Sequence, residues 1–351
     1  MRPMGVRLGR GLTVLLRVVV GVVIALTLLL IAAQRVLPGQ APVLELSRYL
    51  PYHWLLLPGV AVLVLSVWLG RSWIVACLAN LALLVTVGMG LQWHGPEPAD
   101  GPGERVRVMT YNVKIITAVR QPNGLAGLAR EVAQHDPDIL VMQDADGLLV
   151  ERGAQPLSAG PPVFGLPHFY ALGQYIVASR FALRDCAPGH IDFRNESHRY
   201  LRCRVDVRGV ELNLVTAHFQ TPRAGLNAAR REGLEGADEW QRNYADRLTQ
   251  ARALARDLYA TGRPLVVAGD LNADESSPVI QTLLGAGLRD AFSSGGRGYG
   301  YTYGHAFKRG IDFLRIDHIL VSPDIGVVAA FAGGGDASEH RPVIADLLLR
   351  R

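Results

Sequence analysis

Apolar positions follow two unlike patterns along this chain. Through residue 93 they form three long runs; beyond residue 104 they form short ones punctuated by Gly, Pro and Asp. Residues 18–33 (VVVGVVIALTLLLIAA) carry no charge, inside an apolar stretch that starts at Leu12 and is broken only by Arg17. An Arg at a helix centre costs roughly 2.5–3.5 kcal/mol on insertion, each Val, Ile or Leu returns about 0.3–0.6, and Arg17 lies near one end where it can snorkel. Two further runs follow, Trp54 to Gly70 and Trp73 to Trp93, with only Arg71 and Ser72 between them. Each approaches the ~20 residues a bilayer needs and carries Trp where an aromatic belt would sit. The pattern predicts three transmembrane helices, at about 11–33, 54–70 and 73–93. Pro58-Gly59 is tolerated in the second because bundle neighbours satisfy the freed carbonyl. The alternative, a buried core hairpin, has no obvious use for three such runs.

Arg2, Arg7 and Arg10 precede the first run and Arg71 lies in the tight second loop, while Arg35 and Arg48 are spread over the 34–53 connection. The positive-inside rule then puts the N-terminus inside and everything after the third run outside. Were the first run a cleaved signal peptide, two spans would expose the same side, and its length argues against cleavage. The expected location is the cell membrane, multi-pass, with the C-terminal domain extracytoplasmic. Residues 94–104 (HGPEPADGPGE) lack periodicity and read as a Pro/Gly tether. That leaves 1–93 as anchor, 94–104 as linker and 105–351 as one two-sheet domain.

Within that domain strands are expected at Val106 to Val113, Ile139 to Met142, Ile176 to Ser179, Leu201 to Val207, Leu212 to Ala217, Leu265 to Ala268, Ile316 to Val321 and Val343 to Leu348. Helical spacing marks Gly124 to His135 and, most strongly, Arg242 to Tyr259, where Leu248, Leu254, Ala255 and Leu258 share one face. Arg residues near this helix alternate with acids and read as a solvated face.

Charge separates the two halves further. The first 93 residues hold seven Arg against one acid, Glu45, whereas residues 94–351 hold 29 basic and 30 acidic side chains. The chain's net +5 therefore belongs to the anchor, and the domain lacks the basic surface a phosphate-neutralising nucleic-acid binder should show. Hydrophobic content of 49% with 19% charged residues excludes a disordered chain. Cys77 lies in an apolar run; Cys186 and Cys203 form either a short-loop disulfide or two buried thiols. No C-x-x-C or H-E-x-x-H occurs, so zinc chemistry has no support. Asn195-Glu196-Ser197 is a formal glycosylation sequon of a kind common by chance.

The informative polar residues fall at strand ends. Asn112, Asp144, His218, Asp270 with Asn272, Asp317 and Glu339-His340 each sit at or just past an apolar strand. Strand ends are rigid mounts, so these side chains can converge on one cleft. Each alone has a local explanation: an Asx turn for Asp270 and Asn272, a helix cap for Asp144, a satisfied core histidine for His218. The ordered set is harder to explain that way.

Six segments, MTYNV (109–113), DILVMQD (138–144), VTAHF (215–219), AGDLN (268–272), RIDHILVS (315–322) and SEHRPVIADL (338–347), resemble in order and approximate spacing the signatures of the endonuclease/exonuclease/phosphatase family. That family includes deoxyribonuclease I, exonuclease III, inositol polyphosphate 5-phosphatases and neutral sphingomyelinases. The resemblance covers nearly all of 105–351 and none of the anchor. It implies an α/β fold, a four-layer sandwich of two packed β-sheets flanked by helices, and metal-dependent phosphoester hydrolysis by in-line attack of water.

By that resemblance Asp144 is the principal ligand of Mg²⁺ (or Mn²⁺), Glu339 a second acidic contact, and Asn112 helps hold metal and phosphate. Asp270 would orient or deprotonate the water, and Asn272 would bond a phosphoryl oxygen. His340, held by Asp317, and His218 would flank the phosphate as acid, base or charge stabiliser. Two departures stand out: most members carry Glu where this chain has Asp144, and Asp where it has Glu339. A methylene changes reach by about 1.5 Å, and Mg²⁺ demands near-octahedral geometry. Either the ion shifts toward Asp144 within the same cleft, or the metal site is weakened and the domain binds phosphorylated ligands without cleaving them.

The cleft's expected rims are 220–240 and 295–305 (GGRGYGYTYGH), whose Tyr299, Tyr301 and Tyr303 could stack on a base, face a lipid interface or pack on the sheet edge. The sequence thus points to a membrane-anchored phosphoesterase acting on a phosphomono- or phosphodiester, whether lipid head group, nucleotide or nucleic acid. Its expected partners are that substrate and the bilayer, with no protein partner. An extracytoplasmic nuclease and a catalytically silent phosphate-binding domain are the alternatives.

Overall fold

A computed structural model describes residues 9–36, 42–95, 101–151, 153–193, 196–233, 235–304 and 311–350. The chain divides into two compact units at Leu91/Gln92. The first comprises α1 (Arg10–Val36), α2 (Pro42–Ser47), α3 (His53–Ser66) and α4 (Arg71–Leu83), the last continued by a wider π-type turn, Leu84–Gly88. By length and composition, α1 and the continuous helix Arg71–Gly88 could cross a membrane. The expectation of three spans is not met on length. At 14 residues α3 reaches roughly 21 Å, against a hydrocarbon core of about 30 Å. Its end tightens, with the N–H groups of Val67, Trp68 and Leu69 bonding three residues back, and Gly70 at φ +107° stops it. The third run leaves the helix at Gly88, and Gly90 at φ +73° leads into a strand. A polar knot closes one end of this unit: Arg48 bonds Glu45 (2.7 Å) and the Gln34 carbonyl (2.7 Å), and Gln34 donates to Ser47 (2.6 Å).

The second unit opens with β1 (Gln92–Trp93), β2 (Gly103–Asn112), α5 (Ile115–Ala118), α6 (Gly124–His135) and β3 (Ile139–Gln143). A meander follows, β4 (His168–Leu172), β5 (Tyr175–Ser179), β6 (Leu183–Phe193), β7 (Glu196–Val207) and β8 (Val210–His218). Then come α7 (Arg223–Glu232), α8 (Gly236–Tyr259), β9 (Leu265–Asp270), α9 (Pro278–Gly285), β10 (Arg289–Asp290), α10 (Ala291–Gly295) and β11 (Arg297–Gly298). The chain finishes with β12 (Asp317–Val321), β13 (Ile325–Ala332) and β14 (Val343–Arg350). The linker is thus shorter than expected, since 92–93 pair with 297–298 and β2 begins at Gly103; residues 96–100 lie outside the described ones.

Two six-stranded sheets result, ordered β13-β14-β2-β3-β5-β4 and β10-β12-β9-β8-β7-β6. Their inner faces share one core, in which Val106, Val108 and Val141 meet Val205, Leu214, Val266 and Ile319. On the outer face of the first sheet Leu128 and Val132 of α6 pack on Met109 and Leu140. On the outer face of the second, Leu254 of α8 and Ile280 of α9 pack on Val215 and Val267. The domain is therefore the expected four-layer sandwich, with buried apolar surface on both faces of its central strands.

Each sheet holds one parallel pair at its middle, β2/β3 and β8/β9, flanked by antiparallel neighbours. Parallel pairing puts the C-terminal ends of β2 and β3, and of β8 and β9, at one edge. Antiparallel pairing brings the N-terminal ends of β12 and β14 to the same edges, with Asp317 opposite Asp270 and Val343 opposite Thr110. A polar pin joins the sheets there: Gln143 donates to Thr110 (3.1 Å) and to Thr216 (2.9 Å).

Cys186 and Cys203 form a disulfide, resolving the two readings of these thiols. The β6/β7 register shifts between Arg184 and Ala187, and Cys186 sits within that irregularity. Asn195 of the sequon lies outside the described residues.

Candidate active site

Asp270 closes β9 and is the hub of the cleft. Its Oδ1 accepts from the Asn272 backbone N–H at 3.0 Å and its Oδ2 from Asn112 Nδ2 at 2.8 Å. His218 Nε2 and His340 Nε2 approach the same Oδ2 at 3.5 and 3.8 Å. Both imidazoles are aimed from behind. His340 Nδ1 donates to Asp317 Oδ2 at 2.9 Å, and His218 Nδ1 donates to Gln174 Oε1 at 2.7 Å, which leaves each Nε2 toward Asp270. The His218 backbone N–H donates to the Tyr175 hydroxyl at 3.0 Å. Ser338 supports the other side, accepting from the His340 N–H (3.2 Å) and donating to the Asn112 carbonyl (2.8 Å).

Burial governs the charges. His340 is pushed down by desolvation, but the carboxylates of Asp317 and Asp270 outweigh that and raise it above the ordinary imidazole value. Desolvation raises Asp317, partly offset by His340, with Asp270 adding to the rise. Asp144 would be raised by its own burial, yet His218, Lys114 and His340 hold it below the usual carboxylate range.

Asp144 follows β3 in the left-handed region, at φ +52°. Its carbonyl accepts from the Ile115 N–H (3.0 Å) and its Oδ2 meets Lys114 Nζ at 2.5 Å. Lys114 was not singled out from sequence. The available signal was composition, since Lys114 and Lys308 are the chain's only two lysines and one lies two residues past the Asn112 strand end. Arg223, at the start of α7, was also missed; its Nη2 donates to the Tyr303 hydroxyl at 2.8 Å and lies 3.7 Å from Glu339 Oε2. Tyr303 packs its ring on His340 at 4.6 Å, so of the three loop tyrosines it is the one touching the site. Tyr299 and Tyr301 stack on each other, centroids 5.1 Å apart.

The structure therefore gathers Asn112, His218, Asp270, Asp317 and His340 in direct contact and ties Asp144 to the cleft through Lys114. Glu339 reaches Arg223. Asn272, left-handed at φ +51°, donates Nδ2 to the Phe219 carbonyl at 2.9 Å, so one of its amide hydrogens is used in holding the loop.

Among the described residues, ligand atoms of Asp270, Asp317 and His340 lie within 4.8 Å of one another, and Asp144 and Glu339 are outside that group. Asp317 and His340 already bond each other, and Asp144, outside that group, is engaged by Lys114. A cleft lined by several carboxylates suits Mg²⁺ or Mn²⁺, which keep several waters and take one or two carboxylates plus phosphate oxygens. The residues fit such an ion.

The family model described as "Endonuclease/Exonuclease/phosphatase family" matches residues 109–340, and the chain belongs to that family. No curated protein matches the sequence. Among solved structures, a family protein from Bacteroides thetaiotaomicron aligns at 15% identity over 72% of this chain and 100% of its own, TM-score 0.50. One from Beutenbergia cavernae aligns at 21% identity over 70% of this chain and 72% of its own, TM-score 0.48. A mannosyl-6-phosphatase from Bacteroides thetaiotaomicron aligns at 16% identity over 69% and 99%, TM-score 0.48. Members of the family are hydrolases of phosphoester bonds.

Proposed function

We propose that residues 103–350 hydrolyse a phosphomono- or phosphodiester with the help of Mg²⁺ or Mn²⁺, and that the N-terminal unit holds them at a membrane, on its extracytoplasmic side. The observation that carries the catalytic reading is Asp270: a buried carboxylate fixed by two N–H donors and faced by two imidazoles that are themselves fixed from behind.

Asp144 would hold the ion, with Asn112 beside it, and the ion would supply Lewis-acid stabilisation of charge on the phosphoryl oxygens. Asp270 takes the proton of the attacking water at Oδ2; Asn112 and the Asn272 N–H keep that oxygen turned to the cleft. His340 and His218 present Nε2 toward the phosphoryl group and stabilise its growing charge. Asp317 keeps His340 in the tautomer that does so. Glu339 acts as a second acidic contact only when its ion pair with Arg223 opens.

The membrane reading rests on the apolar helices α1 and Arg71–Gly88 and on the Arg distribution around them. The disulfide fits an oxidising compartment. The near-neutral charge of residues 94–351 favours a small phosphoester over extended nucleic acid.

The test is hydrolysis of bis(p-nitrophenyl) phosphate by the full-length protein in detergent, with Mg²⁺ or Mn²⁺ and with chelator. Asp270→Ala and His340→Ala should each lower turnover by about 10²–10⁴, and chelation should abolish it. Turnover equal in the variants, or absent from the wild type with either ion, overturns the reading. A panel of phospholipids, nucleotides and DNA then identifies the substrate.

A further inference from the structure

The ion pair between Lys114 and Asp144 occupies the position that the proposed cation would take. Lys114 is held there by more than its side chain. It adopts the left-handed conformation, φ +43°, at the head of α5, and its N–H donates to Asn112 Oδ1 at 3.1 Å. Its carbonyl accepts from Thr117 Oγ1 at 2.9 Å and from the Thr117 and Ala118 N–H groups. Asp144 is fastened to the next residue through the Ile115 N–H. Backbone and side chain together set the ammonium against Oδ2 at 2.5 Å, with both side chains about three-quarters buried, at 24% and 26% exposed.

Other charges in the cleft are otherwise engaged. Asp317 is bonded by His340, Asp270 by Asn112 and Asn272, and Glu339 faces Arg223. Asp144 thus has the Lys114 ammonium as its counter-charge. A divalent ion binds a carboxylate oxygen at 2.0–2.1 Å, and an ammonium on that oxygen both blocks the approach and repels the incoming charge at short range in a partly desolvated cleft.

We infer that Lys114 is a built-in competitor for the cation site: the divalent ion binds Asp144 only by displacing the ammonium, so the wild-type chain binds the ion more weakly than the same chain without that charge. The inference rests on the metal reading above.

Two measurements on the full-length protein in detergent test it. The first is Mn²⁺ binding by calorimetry for the wild type, Lys114→Met and Asp144→Asn. Lys114→Met should lower the Kd by about tenfold or more, and Asp144→Asn should abolish binding. Equal or weaker binding in Lys114→Met overturns the inference while leaving the metal reading standing. No binding in either wild type or Lys114→Met overturns both, as does binding unaffected by Asp144→Asn.

The second needs no variant. Acetylation by a limiting amine-reactive reagent, read by mass spectrometry with Lys308 as the internal reference, should increase at Lys114 when Mn²⁺ is added. Labelling of Lys114 that is unchanged or lower at saturating Mn²⁺ contradicts displacement.

Discussion

Asp317 fixes which nitrogen of His340 is turned toward Asp270. Its replacement by Asn can still accept from Nδ1 but withdraws the charge that favours imidazolium. Asp317→Asn should therefore keep the fold while turnover falls by about 10²-fold or more, with KM nearly unchanged. Steady-state kinetics check this; an unaltered kcat would remove Asp317 from the mechanism. At this scale most of the candidate site was legible in the sequence, because a single polar residue ending a buried strand has a local explanation but an ordered set of them is harder to explain that way. Asn112, His218, Asp270, Asp317 and His340 all meet. Lys114, Gln174 and Arg223 were not legible, since a turn or a helix start places them and no strand pattern announces them. Asn272 was read as a phosphate contact, and its amide is bonded to the Phe219 carbonyl.

Two buried charge clusters hold the loops that carry those residues. Behind β12, Arg315 bonds Asp290 (2.9 Å) and Glu275, while His318 bridges Asp290 (2.7 Å) and the Ala273 carbonyl (2.9 Å). Asp290 also caps α10 through the Ser293 N–H. Its carboxyl is buried, which alone would raise it, but Arg315 and His318 hold it far below the usual range. Asp290→Asn leaves Arg315 buried with Glu275 as its carboxylate partner and should cost about 3–5 kcal/mol, seen as a lower urea midpoint; a loss under ~1 kcal/mol would contradict that role.

The second cluster ties the 333–334 turn to α6. The hydrogen bond from His135 lowers Glu131, burial opposes it, and the Gly334 N–H lowers it further. A carboxyl depressed in the folded state stabilises fully above its ordinary value near 4.5 and loses that contribution as pH falls through the lower folded value. The stability gap between wild type and Glu131→Gln should be full at neutral pH and shrink as pH falls below the ordinary value near 4.5. A gap independent of pH would contradict the assignment. Helix α6 was readable to both its ends, Gly124 and His135, because its apolar spacing is uninterrupted. Helix α8 begins at Gly236, earlier than the expected Arg242, since buried Trp240 extends its packed face. Strand β6 (LRDCAPGHIDF) has no clean alternation, and it is pairing with β7 that makes it a strand.

Over the whole molecule, sequence separated an apolar basic unit from a near-neutral sandwich, and the chain divides at Leu91. The number of apolar helices long enough to cross a membrane was less legible than the apolar unit itself, because hydropathy does not reveal that Gly70 and Gly90 turn the chain early. The disulfide links residues 17 apart, so Cys203→Ser should cost about 3 kcal/mol, measured as a lower unfolding midpoint under non-reducing conditions. Free thiols at both positions in protein isolated from the native membrane would contradict an oxidising location. In intact spheroplasts, external protease should digest residues 103–350, and protection of them would reverse the proposed topology.

The central claim is that water, activated at Asp270, attacks phosphorus. Hydrolysis of a phosphodiester by the full-length protein in oxygen-18 water with Mg²⁺ tests it most directly. The expected result is one labelled oxygen in the phosphoryl product, none in the released alcohol, and labelled product from Asp270→Ala formed about 10²–10⁴ times more slowly. Label in the alcohol, or equal incorporation by Asp270→Ala, would contradict it.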